Sequence, residues 1–151
     1  MTIIYREGTL EECVQVVEQI TEFVHKETVE SLSARLRDKP RFLVQVAEEG
    51  EQLLGFKIGY QLDSQTFYSW FGGVSSLARN KGVAQRLLEI QEDWVAEQGY
   101  QYLKVKSRNQ FPSMLRLLIK NGYLIENYEA REPLLESRIH FVKVLRASHK
   151  N

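Results

Sequence analysis

The run from residue 66 to residue 107 restricts the fold more than any other part of the chain. "TFYSWFGGV" (66–74) alternates aromatic and smaller residues as a strand does. Gly72–Gly73 near its end signals a bulge or a close backbone approach. From Val83 the period becomes helical. Val83, Leu87, Ile90 and Trp94 form one stripe, widened by Ala84, Leu88 and Val95, which predicts a helix over about 82–98 ended by Gly99. "YQYLKVKS" (100–107) is again a strand, with Leu103 and Val105 on one side and Lys104, Lys106 and Arg108 on the other. A strand, a long amphipathic helix and a second strand make a crossover unit. Its two strands are expected to be parallel and its connection right-handed.

The remaining elements arrange themselves around that unit. "TIIYRE" (2–7) reads as a strand, and Thr9 with Glu12 has the spacing of a capping box opening a helix. Leu10, Val14, Val17 and Ile20 are the expected buried stripe of that helix. A second helical pattern covers about 27–38 and stops before Pro40. "RFLVQVAEEGEQLLGFKIGYQL" reads as two strands around a turn at Glu49–Gly50. Pro112 suits the first turn of a helix carrying Met114, Leu115, Leu118 and Ile119, and Asn121–Gly122 ends it. "YLIENYEA" and "RIHFVKVL" read as two closing strands. The expectation is a mixed α/β (α+β) fold in a single domain over 1–151, with about seven strands and about four helices.

Charge narrows the functional classes. The 20 basic and 20 acidic side chains cancel, which argues against a general nucleic-acid binder, and the Lys104, Lys106, Arg108 face alone is too small to be one. The distribution is nevertheless uneven: residues 7–30 hold seven Glu and one Lys, whereas residues 77–120 hold eight Lys or Arg and four Asp or Glu. The single cysteine, Cys13, forms no intramolecular disulfide and sits among apolar neighbours, so a buried thiol in a reducing compartment is expected. The start "MTIIYREGTLEE" turns acidic too early for a secretory leader, and no apolar run has the length of a membrane span. A cytoplasmic protein without a membrane partner is the expectation. His25, His140 and His149 have no metal-ligand spacing with one another or with Cys13, so no metal is expected.

The stretch "LARNKGVAQRLL" (77–88) stands apart. Arg79, Lys81 and Arg86 gather at the mouth of the long helix with no acidic residue among them, and Gly82 precedes the first apolar stripe position. The first N–H groups of a helix lack intrahelical acceptors and, with the helix dipole, favour an anion. A glycine there lets a phosphate approach the main chain. This is neither the phosphate loop of nucleotide-binding enzymes nor the three-glycine dinucleotide fingerprint.

Arg79-Asn80-Lys81-Gly82-Val83-Ala84, with Val74 upstream at the fixed distance, resembles the Arg/Gln-x-x-Gly-x-Gly/Ala pattern of the GNAT superfamily of acyl-CoA-dependent N-acetyltransferases. Val105, Asn109 and Gly122-Tyr123 resemble the family's later strand valine, asparagine and Gly-Phe, and the element order is similar from about residue 2 to 146. The usual proline after the strand is Ser76 here, and the interval from Asn109 to Gly122 is slightly long. The resemblance implies a sheet splayed between the strands at 66–74 and 100–107. It also implies acetyl-CoA as co-substrate, with its diphosphate held by the main chain of Asn80, Lys81, Gly82, Val83 and Ala84 and by the charges of Arg79 and Lys81. Its pantetheine arm would pair with the main chain at Val74 and meet Asn109. The acceptor would be a small-molecule or peptide amine. Dimers built through C-terminal hairpins occur in the family, so a homodimer is one assembly it implies.

The resemblance also marks what is missing. The general-acid tyrosine of many members falls at Leu118, and the frequent carboxylate base falls at Tyr68. Tyr68 is the candidate for a residue near the reacting carbon, as proton relay or substrate contact, with packing in the sheet as the alternative. Tyr60 and Trp70 are candidates to line a substrate cleft, and Glu27 and Glu30 to meet a cationic amine, with core packing and a solvated helix face as the respective alternatives. Tyr123 is read as packing. Two functions are compatible with these residues: an N-acetyltransferase, or a non-catalytic acyl-CoA-binding sensor or interaction module.

Overall fold

The computed structural model describes residues 2–23 and 26–145. Its elements follow the expected order: β1 (Ile3–Glu7), α1 (Leu10–Val17), α2 (Val29–Leu36), β2 (Phe42–Glu49), β3 (Gln52–Asp63), β4 (Thr66–Val74), α3 (Val83–Glu97), β5 (Tyr102–Arg108), α4 (Pro112–Lys120), β6 (Leu124–Glu129) and β7 (Arg138–Val144). Two single turns of 3-10 helix, Ser76–Ala78 and Leu134–Glu136, are added in the connections. The fold is mixed α/β, with seven strands and four α-helices among the described residues.

Local chemistry sets the helix ends. At α1 the Glu12 N–H donates to Thr9 Oγ1 at 3.1 Å and the Thr9 N–H donates to Glu12 Oε1 at 3.0 Å, a closed capping box. The same carboxylate accepts from Arg6 Nη2 at 2.6 Å, which ties the start of α1 to β1. With α1 held in that rotation, Cys13, Val16, Val17 and Ile20 face inward, while Leu10 and Val14 are only half-buried. The expected stripe is thus rotated, because the segment holds two apolar series of helical spacing and the Arg6 anchor selects one. Helices α3 and α4 end alike: Tyr100 N–H to Val95 O with Gly99 N–H to Ala96 O, and Tyr123 N–H to Leu118 O with Gly122 N–H to Ile119 O. These are Schellman closures around glycines at φ 95° and 88°. Because Tyr100 is committed to this closure, β5 begins at Tyr102 rather than at residue 100. On α4, Leu118 is fully buried, whereas Ile119, expected inside, is 56% exposed.

The chain divides into two compact units, one of Met1–Gln61 with Trp70–Gln91, the other of Leu62–Ser69 with Glu92–Asn151. In the first, the strands lie in the order β1-β2-β3-β4, with β1, β2 and β3 antiparallel neighbours. In the second, the order is β4-β5-β7-β6, with β5 and β6 each antiparallel to β7. The predicted parallel pairing is present: β4 meets β5 from Thr66↔Tyr102 to Ser69↔Val105. It stops there, although β4 runs on to Val74.

Ala47, Leu54, Ala78, Val83 and Leu87 form a core in the first unit, with Ile3, Tyr5 and Val74 packed against it. In the second, Phe67 is fully buried with its ring 5.4 Å from Trp94 and 5.2 Å from Tyr100. Buried polar atoms without a partner among the described residues occur on Gln45, Ser69 and Gln91. Gln91 on α3 is wholly inaccessible, and neither its Nε2 nor its Oε1 has a hydrogen-bond partner. A buried amide without partners destabilises by roughly 1–3 kcal/mol, while an unbranched apolar residue of similar size does not. Gln91→Met should therefore raise the urea midpoint. A lower midpoint would show that the amide is satisfied in solution.

Candidate functional site

The chain turns from β4 into α3 through two left-handed residues. Ser75 Oγ accepts from the Leu77 N–H at 3.2 Å and opens the 3-10 turn, which Ala78 N–H to Ser75 O closes at 2.9 Å. Asn80 then takes φ 68° and Gly82 φ 74°. Asparagine and glycine are the residues that adopt this conformation most readily. The first α3 hydrogen bond is Arg86 N–H to Gly82 O at 3.0 Å, so Gly82 caps the helix. Among the described residues, the N–H groups of Gly82, Val83 and Ala84 have no acceptor. Nothing lies within 4 Å of where a Gly82 Cβ would stand. Main-chain donors, a helix start and an open surface make a cradle that suits a diphosphate.

The cations of this loop are held in waiting by carboxylates. Arg79 Nη2 lies 2.5 Å from Glu22 Oε2, Lys81 Nζ 3.1 Å from Glu49 Oε1 and Arg86 Nη1 3.4 Å from Glu89 Oε1. Arg79 lowers the Glu22 carboxyl below its ordinary pKa. All three pairs are exposed enough for water to screen them, and such pairs contribute only about 0–1 kcal/mol. An arriving anion can recruit these side chains at little cost.

Upstream, Gly72 and Gly73 are close-approach positions. A Cβ on Gly72 would stand 3.2 Å from Phe56 O, and one on Gly73 would stand 2.6 Å from Ile20 Cδ1. Val74 packs on the first unit's core, and the Ser75 N–H donates to Leu54 O at 2.8 Å. Tyr60 and Trp70 come together with ring centroids 5.9 Å apart. Tyr60 is buried, and its hydroxyl accepts from Arg35 Nη1 at 3.0 Å. The same guanidinium sits 4.9 Å from the Trp70 ring, and Lys39 Nζ sits 4.7 Å from the Tyr60 ring. Sequence reading missed Arg35 and Lys39, because only the fold brings α2 against these aromatics. Glu27 accepts from Ser31 Oγ at 2.6 Å at the start of α2.

In the second unit Tyr68 is half-buried beside Lys106, whose Nζ is 5.8 Å from its ring centroid. Asn109 donates through Nδ2 to Leu134 O at 3.2 Å, and its N–H donates to Ser137 O. Tyr123 is buried with its hydroxyl donating to Glu92 Oε2 at 2.7 Å, and burial raises its pKa. Burial likewise pushes the Cys13 thiol up to about 12, which leaves no thiolate at neutral pH. No group of potential metal ligands occurs among the described residues, and no helix is long and apolar enough to cross a membrane. His25 and His149 lie outside the described residues.

The model of the acetyltransferase (GNAT) family matches residues 10–123. The chain belongs to the GNAT acetyltransferase family. No curated protein sequence matches it. Its fold is similar to that of Ard1 from Thermoplasma volcanium, with a TM-score of 0.83, 16% identity, and coverage of 97% of this chain and 99% of that one. It is as similar to the ribosomal-protein-S18-alanine N-acetyltransferase from Escherichia coli, with a TM-score of 0.83, 13% identity, and coverage of 99% and 98%. A GNAT family acetyltransferase from Elizabethkingia anophelis with acetyl-CoA bound gives a TM-score of 0.72 at 16% identity, with 95% and 98% covered.

In this GNAT-family protein the left-handed turn can be tested apart from any ligand. A Gly82 substitution meets no neighbour, so its whole effect is conformational. Gly82→Ala should lower the unfolding free energy by about 1–2 kcal/mol in urea denaturation. An unchanged midpoint would mean that the turn is not held left-handed.

Proposed function

We propose that this protein transfers the acetyl group of acetyl-CoA to the primary amine of a small molecule or peptide. The observation that carries the reading is the set of unpaired N–H groups at Gly82, Val83 and Ala84 in a chain of the GNAT acetyltransferase family. Those donors and the screened charges of Arg79 and Lys81 suit the diphosphate of the cofactor. The backbone at Val74 is assigned to the pantetheine arm by addition of a strand. Asn109 would have to release Leu134 O to contribute its side chain. Acetyl-CoA supplies an acetyl thioester, which is reactive enough for placement of the amine to provide much of the rate.

Proton transfer is the part for which this chain has few groups. Leu118, at the position of the frequent general acid, is buried and apolar. The Tyr123 phenol is engaged with Glu92. Tyr68 remains as relay or substrate contact, with Lys106 Nζ beside its ring. The missing acid also favours a second reading, a module that binds acyl-CoA without turning it over.

Isothermal titration should show acetyl-CoA binding to the full chain. Gly82→Glu should abolish it by filling and charging the cradle, while Tyr68→Phe should leave it unchanged. Equal binding by both variants, each shown to be folded by circular dichroism, would place the cofactor elsewhere. Thiol release over a panel of amines then separates the two readings: turnover of any amine excludes the binding module, and binding without turnover of any amine supports it.

A further inference from the structure

One row of charge is not used by the cofactor reading. On β5, Lys106 and Arg108 are two residues apart and project from one face. The antiparallel register sets Arg108 directly opposite Arg138 on β7, and Lys106 opposite His140. Directly opposed residues share a face with Cβ atoms about 5 Å apart, and like charges in that arrangement destabilise a sheet. The two carboxylates of β6 are otherwise engaged, while Glu132 and Glu136, in the connection to β7, are exposed to solvent. Glu126 pairs with Lys104, and Glu129, which stands opposite Arg138 in the register, binds Arg131 Nη2 and His140 Nε2, each at 2.5 Å. Among the described residues, Lys106, Arg108 and Arg138 take part in no ion pair. Arg108 and Arg138 are half-buried, which adds a desolvation penalty to their repulsion. Lys106 leans over Tyr68, the residue assigned above to the reaction.

We propose that Lys106, Arg108 and Arg138 are a recognition site for an anionic group, carboxylate or phosphate, carried by the acceptor amine. The inference rests on the acetyltransferase reading for the word acceptor, and on this face alone for the anion. Two guanidinium groups side by side present forked donors that match a carboxylate or phosphate, and a bound anion turns their repulsion into attraction. Residues two apart on a strand lie about 7 Å from each other. Tyr68 stands opposite Lys104 in the β4–β5 register, so Arg108 lies four residues, about 13 Å, further along β5, and Lys106 spans the interval between them.

The test uses 15N-labelled full-length protein without cofactor. O-phosphoethanolamine and γ-aminobutyrate are titrated against ethanolamine and butylamine while the side-chain Nε–Hε resonances of arginine are followed. The acidic probes should move the Arg108 and Arg138 resonances saturably and the neutral amines should not. The lower midpoint identifies phosphate or carboxylate as the better ligand. The paired substitution Arg108→Gln, Arg138→Gln should weaken the acidic probe at least tenfold without changing acetyl-CoA affinity. In turnover, the acidic member of each pair should exceed its neutral partner at least tenfold in kcat/KM, a preference the paired variant loses. A wild-type protein whose arginine resonances respond equally to both classes, or to neither, overturns the inference even if acetyl-CoA binds. Resonances that respond in a protein that binds no acetyl-CoA would instead overturn the acceptor role, along with the reading on which it rests.

Discussion

The left-handed turn at Asn80 and Gly82 is the constraint on which the rest of the site depends. It reverses the chain between the end of β4 and the start of α3 within eight intervening residues, Ser75 to Gly82. Among the described residues, the turn leaves three successive N–H groups at the start of α3 without acceptors. Helix starts expose such groups as a rule, and side-chain caps usually take up one of them. Here Gly82 occupies the capping position and has no side chain to do so. The main-chain donors stay available, and an anion that fills them completes the helix end.

Two groups of cations differ in how they are balanced. Arg79, Lys81 and Arg86 each face a carboxylate across solvent-exposed space. Such charges are ready to be shared, since the exchange of one anion for another changes little in a screened pair. Among the described residues Lys106, Arg108 and Arg138 take part in no ion pair, and the β5–β7 register sets two of them opposite each other. The fold tolerates the first arrangement easily. The second is maintained against repulsion, and neither the core nor the strand pairing requires arginine at either position.

The fold was legible in the sequence because its signals are local. Periodicity, the Thr9–Glu12 spacing, Pro112 and the glycines at 99 and 122 each act within a turn or two of chain, and each has its expected partner in space. Errors arose where a tertiary contact decides. The buried stripe of α1 turns on Arg6, six residues before its partner Glu12, and the start of β5 on a capping bond made by Tyr100. The open N–H groups at the start of α3 were legible for the same reason as the helices: they lie within one contiguous stretch. The Arg35–Tyr60–Trp70 cluster and the Arg108–Arg138 pair were not. Arg35 is 25 residues from Tyr60 and 35 from Trp70, Arg108 is 30 from Arg138, and only helix docking or strand register brings them together.

The buried groups also limit how the chain can do chemistry. A phenol can serve as an acid and a thiol as a nucleophile, but burial pushes both Tyr123 and Cys13 away from neutral pH. Tyr123 is further committed to Glu92, whose carboxylate is also 3.2 Å from Lys143 Nζ. A phenol held in such a network orders the core and gives up its proton reluctantly. What remains on the described residues for an acyl transfer is a set of fixed donors and fixed charges. Such a set acts through placement, and placement is most effective when both ends of the acceptor are held. An anion site on β5 and β7 would supply the second hold, through placement rather than through a proton donor.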